Sequence, residues 1–162
     1  MSRMYNVVMR DVIYEKLVER AEREKKSIGK ALVHGFGLKD AAIASTVAHD
    51  SHQLICVGSD YELMLLAIML VKEVGGGQAV VTHEGYTLLP LPFGGIISTL
   101  SIDKLVKKME ELHSAANAVS KGLSDPFMAM SFIALPVIPH LKVTDKGLID
   151  VDKFEFTSLV VE

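Results

Sequence analysis

The tetrapeptide His49-Asp50-Ser51-His52 is the densest cluster of chemically capable side chains in the sequence, with two imidazoles, a carboxylate and a hydroxyl in a row. Imidazole nitrogen and carboxylate oxygen are donors that hold divalent metals, and the same groups carry protons in hydrolytic reactions. His49, Asp50 and His52 are therefore the candidate catalytic residues and the candidate metal ligands. Backbone geometry restricts them. Side chains alternate along a regular strand, so His49 and His52 would face opposite ways there and converge only in a turn. A third or fourth ligand would still have to come from His83, Glu84, His113 or His140. The reading we prefer is structural: Asp50 and the two histidines fix a tight turn by hydrogen bonds to the backbone, as Asx and Ser side chains do.

Two β-like runs, Ala41 to Val47 and Gln53 to Val57, flank the tetrapeptide and have to position it. A shorter run, Ala31 to Phe36, ends at Gly35 and Gly37, and a turn at Lys39-Asp40 follows; the three runs together predict an antiparallel meander. Next comes a helix with Ser59 as N-cap and Glu62 as its capping-box partner, stopped by Gly75-Gly76-Gly77. It is apolar nearly all round from Leu63 to Val71, which predicts burial on several sides. The triple glycine follows a helix, whereas a phosphate cradle precedes one.

Gln78 to Thr82 and Tyr86 to Leu89 predict a hairpin around His83-Glu84-Gly85. Pro92 ends the second strand, and Gly94-Gly95 allow another backbone, chain or ligand to come close; packing within the fold is the simpler account. Ser101 caps a helix whose stripe is Leu105, Met109, Leu112, Ala116 and Val119, ending near Gly122. Asp125 and Pro126 open another that stops before Pro136. Thr144-Asp145-Lys146-Gly147 predicts a hairpin turn, and Phe154 to Val160 a last strand. At the other end, Asp11 to Lys26 has a helical stripe of Tyr14, Leu17, Val18 and Ala21. Residues 1–30 are read as an N-terminal helical extension and 31–162 as the main domain. Strands and helices do not alternate strictly, so the fold class is α+β, a mostly antiparallel sheet layered with three to four helices.

A chain of 162 residues suits one main domain, and its 49% apolar content supports a sizeable core. The mean hydropathy of +0.32 leaves an apolar surplus that could cover a partner, although a fully internal core is the simpler account. A net charge of −3 gives no reason to expect nucleic acid, although residues 1–30 hold eight Lys/Arg against five Asp/Glu. The single cysteine, Cys56, lies in an apolar run and is read as a buried, reduced thiol. No secretory h-region is visible, and Leu63 to Val71 falls far short of the ~20 residues that span a bilayer. The expectation is a soluble cytoplasmic protein without a membrane partner.

The stretch from Gly35 to Gly58, GFGLKDAAIASTVAHDSHQLICVG, resembles the signature of the C-terminal domain of adenine deaminase. Three later segments fit in order: LLPLPFGGIIS from Leu88, LSDPFMAMSFIALPVIPHLKVTDKGLIDV from Leu123, and KFEFTSL from Lys153. Gln53 stands where the family usually has Asn, and Phe93-Gly94 replace a common Ile-Ala. Such enzymes hydrolyse adenine to hypoxanthine and ammonia with a metal pair in an amidohydrolase (β/α)₈ barrel N-terminal to this domain. A barrel takes about 250 residues, and no His-x-His pair occurs in this chain, so none of the family's metal ligands or barrel acid/base residues transfers to it.

The resemblance thus implies a divalent cofactor, manganese, iron or zinc, only for the barrel. It also implies that the polar loop faces the barrel mouth and helps position or shield the purine. Ser51, Gln53, Pro92, Gly94 and Gly95 are the substrate- or interface-contact candidates. The expected protein is an adenine deaminase-related accessory module that is not active alone, partnered by a separately encoded barrel or by a second copy in a two-fold dimer. The alternative is an independent purine-binding or oligomeric protein without hydrolase activity.

Overall fold

A computed structural model describes residues 29–48 and 52–159. Layering starts from β1 (Ala41–Ser45), every residue of which is buried. Side chains on a strand alternate between faces, so a strand buried throughout must have cover on both sides. It lies inside a four-stranded antiparallel sheet of order β2-β1-β3-β4, formed with β2 (Ile55–Gly58), β3 (Gly77–Thr82) and β4 (Gly85–Pro90). Ala42 and Ala44 share a face with Ala79 and Val81 and meet Leu63, Ala67 and Val71 of α1 (Tyr61–Glu73). Alanines along β1 let that helix sit close. On the opposite face Ala41, Ile43, Val57, Val80 and Leu89 pack against α2 (Ile102–Val119) and α3 (Pro126–Ile133), through Leu112, Ala116, Phe127 and Met130. The sheet is thus the middle layer between helices, the α+β arrangement expected.

The predicted meander is corrected. Residues 31–36 form no strand; Leu38 makes an isolated bridge to Ser120, and the Ser120 hydroxyl donates to the Phe36 carbonyl at 2.6 Å. The reason is competition for β1: one edge pairs with β2 and the other with β3, so no ladder position remains for the earlier run.

The cap of α1 also differs. Asp60 accepts from the Leu63 N–H at 3.0 Å, whereas the Ser59 hydroxyl accepts from the Ala41 N–H at 3.2 Å and ties the helix start to β1. Ser101 occupies the N-cap of α2 without a capping bond, and Asp125 caps α3 through the Met128 N–H at 2.9 Å with Pro126 in its first turn.

A second antiparallel sheet holds β5 (Leu141–Thr144), β6 (Gly147–Asp150) and β7 (Glu155–Thr157) in that order. The 144–147 turn forms as expected, with the Thr144 hydroxyl donating to the Gly147 carbonyl at 3.2 Å. The last strand is shorter than the predicted Phe154–Val160, and residue 160 lies outside the described residues, as does the whole Asp11–Lys26 stripe. Among the described residues no helix is long and apolar enough to cross a membrane.

Candidate functional site

The antiparallel register gathers four chain segments at one end of the main sheet. Ser45 ends β1 opposite Ile55 at the start of β2 and Gln78 near the start of β3, while Pro90 ends β4 opposite Gly77. The polar loop, the triple glycine and the Pro92–Gly95 segment all emerge there. Their junction is Thr46, the residue after β1. Its hydroxyl donates to the Gly95 carbonyl at 2.6 Å and accepts from the Gly77 N–H at 2.8 Å. Its backbone N–H donates to the Gly77 carbonyl at 2.9 Å.

Glycine is required where these backbones meet. Gly76 has φ +130°, and a Cβ there would be driven into the Cα of Gly95. A Cβ on Gly95, at φ +75°, would lie 3.0 Å from the Thr46 side chain. The close approach expected of Gly94-Gly95 is thus made at Gly95, to the chain's own backbone; Gly94 is exposed at φ +60°, and Pro92 is exposed.

Next to this junction Ser45 is fully buried, and its hydroxyl oxygen accepts from the Val47 N–H at 2.9 Å and from the Gln78 amide at 3.2 Å. These bonds turn the chain out of β1 into the polar loop. His49, Asp50 and Ser51 lie outside the described residues. His52 is exposed in the left-handed region, φ +47°, and its N–H donates to the Ala48 carbonyl at 3.0 Å, which draws the two ends of the loop together. The Gln53 amide donates to Asp145 Oδ1 at 2.9 Å and so ties the loop to the β5–β6 turn of the second sheet.

The supporting ligands proposed from sequence are dispersed. His83 and Glu84 occupy the β3–β4 turn, the far end of the sheet from the polar loop, a separation of about 17 Å at ~3.4 Å per residue. His113 packs its ring against Phe127 with centroids 6.4 Å apart, and His140 pairs with Asp152 beside the second sheet. Among the described residues no three His, Cys, Asp or Glu side chains come together where they could hold a metal ion.

Two titrating groups lie elsewhere. Burial pushes the Cys56 thiol up to about 12, with its sulfur 3.8 Å from the Met64 carbonyl. A side-chain hydrogen bond from Lys153 holds the half-buried Asp150 carboxyl below the usual carboxylate range. Sequence reasoning passed over Ser45, Thr46, Gln78 and Asp145. A Ser-Thr pair at a strand end was the available signal for the first two, since such hydroxyls satisfy backbone groups where a ladder stops.

Comparison with known proteins places these features in context. Residues 3–155 match the family described as "Adenine deaminase C-terminal domain", so the match takes in the segment before Gly35 as well. An adenine deaminase of Leuconostoc mesenteroides is 42% identical over 146 residues, 90% of this chain and 26% of that protein. One from Methanothermobacter thermautotrophicus is 44% identical over 150 residues, 93% of this chain and 28% of the relative. One from Brucella abortus is 46% identical over 149 residues, 91% and 25% respectively. The chain spans about a quarter of the length of the curated relatives it matches.

Proposed function

The chain belongs to the adenine deaminase C-terminal domain family, and from that premise we propose that it serves as the C-terminal module of an adenine-hydrolysing system, working with a catalytic barrel of the kind the resemblance implies. One observation carries this reading: the family match runs through nearly the whole chain, while each relative continues for roughly three quarters of its length beyond the matched part. Hydrolysis at the amino-bearing carbon of adenine needs an activated water, which a metal supplies by lowering the pKa of water from about 15.7 to about 7. The resemblance assigns the metal pair to the barrel, and among the described residues of this chain no three ligands converge.

What the module contributes under this reading is position. The described residues on either side of its polar loop are anchored, by the Ser45–Thr46 hydrogen bonds and by the Gln53–Asp145 bond. Flanks held in this way fix where the chain leaves and re-enters the domain, and on this reading His49, Asp50, Ser51 and His52 between them serve a partner's substrate mouth. The test is ammonia release from adenine, with manganese, iron or zinc supplied. The chain alone is expected to show none, and the chain co-produced with the part of the Leuconostoc mesenteroides enzyme that it does not match is expected to show turnover. Turnover by the chain alone, abolished by His49→Ala, would overturn the assignment.

A further inference from the structure

The segment following β4 is apolar, exposed and held in place. Phe93 and Ile97 bridge each other, the Ile97 N–H donating to the Phe93 carbonyl at 3.1 Å and the Phe93 N–H to the Ile97 carbonyl at 3.3 Å. Thr46 clasps the loop through the Gly95 carbonyl. This bracing keeps Phe93 63% and Ile97 59% exposed. The chain then enters α2, where Ile102, Val106 and Met109 recur at i, i+4 and i+7 and so form one stripe. They are 79%, 49% and 41% exposed, beside the stripe that α2 buries against the sheet. Five large apolar side chains are thus exposed on one hydrogen-bonded loop and the helix that directly follows it, and exposed apolar clusters are characteristic of interaction surfaces.

We propose that this face, Phe93, Ile97, Ile102, Val106 and Met109, is where the module docks onto the part of an adenine deaminase that the chain does not match; the proposal rests on the functional reading above. Two observations select that occupant. In the relatives the matched quarter belongs to the same protein as the remaining three quarters, so a domain of this kind has a large neighbour against which to pack, and the face adjoins the sheet end from which the polar loop emerges.

The experiment co-produces the full chain with a tagged version of the unmatched part of the Leuconostoc mesenteroides adenine deaminase and measures co-purification and ammonia release. The wild-type chain is expected to co-purify. The double substitution Ile102→Glu/Val106→Glu is expected to weaken association roughly tenfold or more, with its circular dichroism and melting curve unchanged because both side chains are exposed. Phe154→Glu, at a side chain 90% exposed on the other sheet's side, is expected to bind as the wild type does. Equal binding by the double variant and wild type would overturn the docking face and leave the functional reading standing. Failure of the wild-type chain to associate or to support turnover would overturn that reading and the face with it. A wild-type dimer in light scattering that the double substitution converts to monomer would assign the face to a second copy and overturn the proposed occupant.

Discussion

Thr46→Val isolates the junction at the sheet end, because valine keeps the branched shape and removes only the hydroxyl. The hydroxyl makes two short bonds, donating to the Gly95 carbonyl at 2.6 Å and accepting from the Gly77 N–H at 2.8 Å. The Gly77 carbonyl is not stranded, since the Thr46 backbone N–H still reaches it at 2.9 Å. Two backbone groups therefore lose partners. A buried polar group left without one costs about 1–3 kcal/mol; Thr46 is itself half-buried, so some water reaches the site and the lower part of that range applies. The sum is about 2–4 kcal/mol, a large share of the ~5–15 kcal/mol that holds an ordinary domain together. At about 3 °C per kcal/mol for a domain of this size the melting point should fall by roughly 6–12 °C.

The assay is a pair of urea titrations with a thermal melt, run beside Thr46→Ser. Serine restores the hydroxyl and should return to within about 1 kcal/mol of wild type. Amide exchange adds a local readout: the Phe93 and Ile97 amides, bonded within the clasped loop, should exchange faster in the valine variant. If Thr46→Val lies within about 0.5 kcal/mol of wild type, or if serine is as damaging as valine, the hydroxyl is not what joins these segments.

Gly76→Ala should cost at least about 2 kcal/mol, read from the urea midpoint, because its φ of +130° is unfavourable for alanine and the new methyl would strike the Gly95 backbone. Gln53→Leu removes the 2.9 Å bond to Asp145 and should cost about 0.5–1.5 kcal/mol, with faster exchange at Lys146; an unchanged midpoint and exchange pattern would deny the tether. Cys56 titrates near 12 in the fold against 9.0 for the unperturbed group, so at pH 8 the native thiol should react with a disulfide reagent about a thousandfold more slowly than the urea-unfolded chain. The sign of the linked pH effect follows from the raised value: the fold keeps the neutral thiol, so this contribution is intact below pH 9 and is lost, at up to about 1.4 kcal/mol per pH unit, as the pH climbs toward 12. Stability that does not fall across that window in a Cys56→Ser comparison would contradict the assignment.

Much of the fold is local and was legible in the sequence. The Asp125-Pro126 start, the Gly75–Gly77 stop and the Thr144–Gly147 turn each depend on residues within a few positions of one another, and each forms where its signal stands. Pairing partners are not local in this sense. Nothing in Ala31–Phe36 itself shows that β3, from beyond a helix, will take the edge of β1 that a meander would have used. The shifted cap has the same origin: Ser59 is a good N-cap residue by type, but its hydroxyl is taken by Ala41 from another element, and Asp60 serves instead.

The candidate site divides along the same line. Residue types picked out the polar tetrapeptide, because imidazole and carboxylate side chains are conspicuous between apolar strands. They could not pick out Thr46, an unremarkable residue type whose importance comes only from being placed where β1, the triple glycine and the Gly95 loop converge. Nor could they show that His83 and Glu84 sit at the far end of the sheet, since that follows from the direction of β3, which only the ladder with β1 fixes. An antiparallel sheet sends successive turns to opposite ends, so in this chain the β1–β2 and β4–α2 connections share one end while the β3–β4 turn is carried to the other. The polar loop and the exposed apolar loop are therefore neighbours by topology, and the two properties the sequence displayed separately, a polar cluster and an apolar surplus, fall at the same end of the domain.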